Sequence, residues 1–249
     1  MRKRNSIISV LVLLAIILAT FGYVVLKSQA LSDEDNYFNQ NLRSGFAASL
    51  FWRQILDLHL DGDGKADYLR PRYKQILIEV DIMQGLSAQI SALNLLKDKI
   101  QQITGKPTDY IISDRNVRYF RDLNTDQIDD LVDQYQIRET SGDTAVVYLL
   151  YASRSQEDSG FLGLTHREYG IVLFAETLQE FSKDDSGIRA NYEVSTALHE
   201  FGHQLGLDHN DRPGCLMNED VEIGRFWERP EDVIVDFCEF EKMQIANRE

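Results

Sequence analysis

Between His199 and His209 the chain reads HEFGHQLGLDH, and this run dictates more of its own local shape than any other stretch. Histidines four apart on a helix project from one face, one above the other, so His199 and His203 can bring both imidazoles to one point. Gly206 then lets the backbone leave the helix through a conformation that is costly for other residues, and the turn returns His209 towards that point. Three neutral imidazoles leave one position of a tetrahedral Zn²⁺ open for water, the arrangement of a catalytic rather than a structural site. Glu200, next to the first ligand, is placed to take a proton from that water. The spacing predicts one zinc on His199, His203 and His209, with Glu200 as general base. The chain has five histidines; a satisfied core histidine would account for one such residue, not for three at ligand spacing.

With Cys215, Leu216 and Met217 following it, the run resembles the metzincin clan of zinc metallopeptidases, whose members share HExxHxxGxxH and a downstream methionine turn. Within the clan the chain is similar to matrixins, and it departs from them at Asn210, where they usually carry serine. It is also similar to archaemetzincins, which have the same step from the third histidine to the methionine and four cysteines around an extra structural zinc. Cys215 and Cys238 fall near two of those four, and Asn210 and Glu241 stand near where the others would be. The resemblance implies an α+β domain with a twisted mixed sheet, a backing helix, an active-site helix and a small C-terminal subdomain. It places Met217 as a floor beneath the three imidazoles. Because only two cysteines are present, it implies a Cys215–Cys238 disulfide in place of the zinc clip; the alternative is one buried and one free thiol. With no cysteine upstream of the motif, a cysteine-switch propeptide of the matrixin kind is not expected.

The other end of the chain reads differently. Arg2, Lys3 and Arg4 precede Ile7 to Leu26, an uncharged and almost wholly apolar stretch. As a helix it would reach ~30 Å, the thickness of a bilayer core. The reading is an N-terminal transmembrane helix with its basic tip in the cytoplasm and everything after it outside. A signal peptide cleaved after Ala30 is the alternative, giving a secreted protein. The net charge of −14 argues against nucleic acid as a partner, because phosphates need a basic surface.

Three regions follow from these features. Residues 1–30 are the cytoplasmic tip and anchor. Residues 31–72 are a juxtamembrane linker, in which Phe46, Leu50, Phe51 and Ile55 recur at the spacing of an amphipathic helix over about 40–58. Residues 73–249 are the catalytic domain. Strands are expected at 76–82, 109–113, 145–151, 161–164 and 170–174, a long helix at 86–103 ending at Gly105, and the motif helix from about Tyr192. The stretch 160–164 sits where matrixin-like enzymes carry their cleft-side edge strand, to which substrate would add through main-chain hydrogen bonds. His166 beyond it reads as a surface residue or one behind the ligands.

Two acidic runs share a register of alternating oxygen ligands. Asp61, Asp63 and Asp67 form the first, and Asp122, Asn124, Asp126 and Asp130 the second. Both are candidates for Ca²⁺, which takes six to eight oxygens. Neither is an EF-hand, since the terminal glutamate is missing. The second run has a rival reading, with Asn124 or Thr125 as a helix N-cap.

Taken together, the sequence predicts a membrane-anchored, extracytoplasmic zinc endopeptidase acting on protein or peptide substrates. The competing readings are a non-catalytic, membrane-tethered metal- or calcium-binding interaction module and a zinc-dependent hydrolase of a non-peptide amide. The intact Glu200 weighs against the first of these, since a purely structural site has no need of that carboxylate.

Overall fold

The computed structural model describes residues 16–29, 37–38, 42, 45–46, 49–56, 64–69, 73–141, 143–157, 160–167, 169–183, 185–218 and 232–247. The chain divides into two compact units, Met1–Leu60 and Asp61–Glu249.

In the first unit residues 16–29 are helical, and α1 (Leu50–Leu56) follows. Ile7 and the residues up to 15 lie outside the described residues. Among those described, no helix is long and apolar enough to cross a membrane. The transmembrane helix, the single-pass topology and the membrane partner are therefore withdrawn. In the helix over residues 16–29, Leu26 packs with Phe38, Phe46, Ile55 and Leu56 and the Tyr23 hydroxyl donates to the Ile55 carbonyl, while Ile16, Ile17, Leu18, Phe21 and Val24 are exposed.

The second unit begins with α2 (Gly64–Leu69), then β1 (Gln75–Ile82), α3 (Ile90–Thr104), β2 (Thr108–Ile112), α4 (Thr125–Tyr135) and β3 (Thr144–Ala152). After these come β4 (Gly163–His166), β5 (Gly170–Phe174), α5 (Ala175–Phe181), α6 (Ser186–Gln204) and α7 (Glu239–Asn247). The five strands form one sheet in the order β2-β1-β3-β5-β4. All neighbours are parallel except β4, which pairs antiparallel with β5 at one edge. The expectation of an α+β domain is corrected to α/β with a mixed sheet. Parallel neighbours need crossover connections, and those put helices on both faces.

Burial confirms the layering. On one face Ile76, Ile78, Val80, Val147, Leu149 and Ile171 meet Leu93, Leu96 and Ile100 of α3 and Val194, Leu198 and Phe201 of α6. On the other face Tyr148, Leu150, Val172 and Phe174 meet Ile128, Leu131 and Val132 of α4. Strands covered on both sides read as continuous apolar runs rather than alternating ones, which is why Ala145 to Ala152 is apolar at every position and wholly buried. Tyr68 of α2 belongs to the same core, with its ring 5.1 Å from that of Phe201 and its hydroxyl donating to the Val146 carbonyl.

Candidate metal centre

Helix α6 carries the first two histidines. Asp185 caps its N-terminus by accepting from the Gly187 and Ile188 amides, which satisfies donors that a helix start leaves open. The helix is buried along most of its length from Tyr192 to Gln204, so the sheet and neighbouring helices fix its rotation and with it the direction of His199 and His203. Beyond Leu205, Gly206 takes φ 79°, the left-handed region that glycine enters without penalty. The chain then doubles back, and His209 arrives opposite the two helical rings.

The three Nε2 atoms converge. His209 Nε2 lies 3.0 Å from His199 Nε2 and 3.1 Å from His203 Nε2. The other ring nitrogens point away: His199 Nδ1 donates to the Leu216 carbonyl at 2.8 Å, and His203 Nδ1 to the Leu207 carbonyl at 2.9 Å. A carbonyl only accepts, so both Nδ1 atoms carry the proton and both Nε2 atoms carry a lone pair. The lone pairs of His199 and His203 thus both face His209 Nε2, and a cation held among the three nitrogens would satisfy them. Four-coordinate Zn²⁺ with Zn–N bonds of ~2.1 Å spaces its nitrogens roughly 3.4 Å apart, a few tenths of an ångström beyond the separations here. The donor set fits zinc, which imidazole suits.

Electrostatics agree. Burial holds the His199 imidazole down to about 3, with the neighbouring His203 and His209 rings adding to it and the Leu216 carbonyl opposing. Burial also lowers His203. Both rings are thus neutral at physiological pH, the form that binds metal.

Glu200 is buried, and its Oε2 accepts from the Thr165 hydroxyl at 2.7 Å. Thr165 lies on β4, the antiparallel edge strand, so strand and helix meet at this carboxylate. Reading the sequence did not single out Thr165; only the pairing of β4 brings it there. Gly163 on the same strand meets α6 closely: a Cβ there would stand 2.5 Å from Thr196 Cγ2.

Met217 is fully buried beneath the helix, with its Sδ 2.4 Å from where a Cβ on Gly202 would sit. Cys215 and Cys238 are joined by a disulfide, with their Cα atoms 5.0 Å apart. His166 is buried rather than on the surface; its Nε2 stands 3.1 Å from Asp129, and burial lowers its pKa.

The calcium candidates are not brought together in this way. Among the described residues the groups that could share a metal are His199, His203 and His209, and Cys215, Cys238 and Glu241. In the second group the two sulfurs are bonded to each other. Asn124 spends its side-chain oxygen on the Gln127 amide and receives the Gln127 side chain in return, a capping box at the start of α4;. Asp122, Asp126 and Asp130 are in neither of those two groups. In the first run Asp61 and Asp63 lie outside the described residues, and Asp67 lies in α2.

No protein-family model matches the sequence. A curated archaemetzincin from Sulfolobus acidocaldarius is 32% identical over 63 residues, which is 24% of this chain and 36% of that protein. Over that stretch the chain is similar to an archaemetzincin. It spans about a third of that relative's length. Among solved structures, an archaemetzincin from Archaeoglobus fulgidus in complex with malonate matches at 20% identity and TM-score 0.44, covering 70% of this chain and 99% of that one. A zinc-dependent peptidase from Methanocorpusculum labreanum matches at 17% and 0.49, covering 68% of this chain and 99% of that one. An archaemetzincin from Methanopyrus kandleri matches at 16% and 0.48, covering 72% and 98%.

Proposed function

We propose that this chain is a zinc-dependent endopeptidase whose metal is held by Nε2 of His199, His203 and His209. The observation that carries the reading is the convergence of those three nitrogens, two of them with lone pairs turned inwards by bonds from the opposite ring nitrogen to a carbonyl. Zinc, when bound, polarises a carbonyl and lowers the pKa of water towards ~7. Glu200 is the general base: its carboxylate takes the proton of the attacking water and passes it to the leaving amine. The Thr165 hydroxyl holds that carboxylate in place. Peptide bonds are the substrate class that suits the edge of the sheet, where among the described residues β4 has a strand on one side only and an extended peptide can pair with the other. The stretch shared with an archaemetzincin supports the same reading.

Glu200→Gln tests it. The variant should bind zinc stoichiometrically yet lose at least about 10²-fold in turnover of an unstructured protein, because the acid–base step goes while the ligands stay. Near-wild-type proteolysis would remove Glu200 from the mechanism. A zinc-loaded wild type that leaves unstructured protein intact but cleaves small amides would move the substrate class away from peptides.

A further inference from the structure

The Glu241 carboxylate is fully buried, and nothing in the reading above uses it. Its two oxygens accept four hydrogen bonds. Oε1 takes the Met217 amide at 2.6 Å and the Asn210 side-chain amide at 3.0 Å. Oε2 takes the Leu216 amide at 3.1 Å and the Cys238 amide at 2.9 Å. Four donors and no acceptor suit an ionised carboxylate, which only accepts. A merely space-filling role asks for no charge here, since apolar residues replace buried charges without loss of stability in many proteins.

The Met217 contact leads to the metal centre. The Met217 N–H and the Leu216 carbonyl belong to one peptide group, and that carbonyl accepts from His199 Nδ1 at 2.8 Å. Imidazole, peptide and carboxylate thus form a chain in which every donor points towards Glu241. Hydrogen bonds in series polarise one another, so the charge at the far end makes the Leu216 carbonyl a stronger acceptor. Metal-binding histidines are fixed in tautomer and raised in basicity by such a partner on the second nitrogen.

We propose that Glu241 is a positioning residue for the metal centre, acting on His199 through the Leu216–Met217 peptide. The carboxylate locks the tautomer that leaves the lone pair on Nε2 and makes that nitrogen a better donor. The proposal rests on the zinc reading of the three histidines. His203 supplies a contrast within the site: its Nδ1 bonds the Leu207 carbonyl at 2.9 Å, and none of the described carboxylates accepts from the amide of that peptide.

Zinc affinity measured by competition with a chromophoric chelator, together with the imidazole N–H proton resonances of the zinc-loaded protein, tests the proposal. Glu241→Gln should bind zinc about 10- to 100-fold more weakly, and the His199 Nδ1–H resonance should move upfield while that of His203 stays. Asn210→Ala removes one donor from the same carboxylate and leaves the chain to His199 whole; its affinity should stay within about threefold of wild type. Unchanged affinity in Glu241→Gln overturns the proposal, and so does a loss of affinity with the His199 resonance unmoved, which would mean general loosening. Should Glu241→Gln fail to fold, the wild type decides: His199 Nδ1–H downfield of His203 Nδ1–H supports the proposal, and the reverse order or coincidence overturns it. A wild type that binds no zinc overturns the reading of the site itself.

Discussion

At Gly202, inside the zinc-binding motif, a methyl group would stand 2.4 Å from Met217 Sδ and 3.0 Å from the Phe237 ring. Both neighbours are fully buried, so there is little room for them to give. Gly202→Ala should lower stability by ~1–3 kcal/mol, the usual cost of overpacking, and thermal melts will show it. An unchanged Tm would mean that Met217 steps aside freely. The sequence offered no separate signal for this glycine, which stands at a variable position of the histidine spacing. His199 makes a second prediction. Its imidazole is held to about 3 in the folded protein, chiefly by burial, against an ordinary 6.5. The unfolded chain therefore takes up this proton at a higher pH than the folded one. Stability from this group is full above pH 6.5 and falls as the pH drops towards 3. Metal-free protein should lose stability between pH 6.5 and 5, above the carboxylate range, when followed by urea unfolding. A flat profile there would place the ring in water.

Helix α4 shows how a short pattern stays ambiguous until its neighbours are placed. Asp122, Asn124, Asp126 and Asp130 alternate as calcium ligands do, yet Asn124 and Asp126 also suit a cap and an acidic first turn. In the fold, the Asn124 oxygen accepts from the Gln127 amide and Gln127 returns the bond, while Ile128, Leu131 and Val132 pack on the sheet. The cap also sets where the helix starts beneath β3. Asn124→Ala should cost ~1 kcal/mol, read as a lower denaturation midpoint with an unchanged slope. An unaltered midpoint would show that the capping box contributes nothing. For the strands, apolar runs were enough: β1, β3 and β5 lie within a residue or so of where the pattern put them. Helix α6 starts earlier than periodicity indicates, because Asp185 caps it at Ser186.

On the scale of the whole unit, the Cys215–Cys238 bond joins residues 23 apart in sequence and ties the turn under the imidazoles to the start of α7. Lys99 of α3 adds an ion pair with Asp236 at 2.9 Å. Closing a loop of this length contributes ~3 kcal/mol on the chain-entropy model. Reduction, or Cys215→Ala with Cys238→Ala, should therefore lower Tm while the His199–His203 pair, held by α6, keeps its geometry. Both thiols free to alkylation in the unreduced protein would refute the bond. The apolar N-terminal stretch is the contrary case. Its length and composition match a membrane span, yet among the described residues no helix is long and apolar enough to cross one, and Leu26 packs on protein.

What the sequence determined by itself is local. The four-residue step from His199 to His203 puts both rings on one helix face whatever surrounds it, and Gly206 is needed wherever the chain must take φ 79°. The apolar runs of β3 and β5 require burial on both sides. The tertiary structure decided what these local facts are worth. Parallel pairing of β1, β2, β3 and β5, with helices on both faces, made the unit α/β rather than α+β. Antiparallel β4 brought Thr165 to Glu200 across 35 positions of sequence, and α7 brought Glu241 to the Met217 amide across 24. Contacts of that range leave no periodicity in a sequence, because they depend on where whole elements pack and not on the residues beside them.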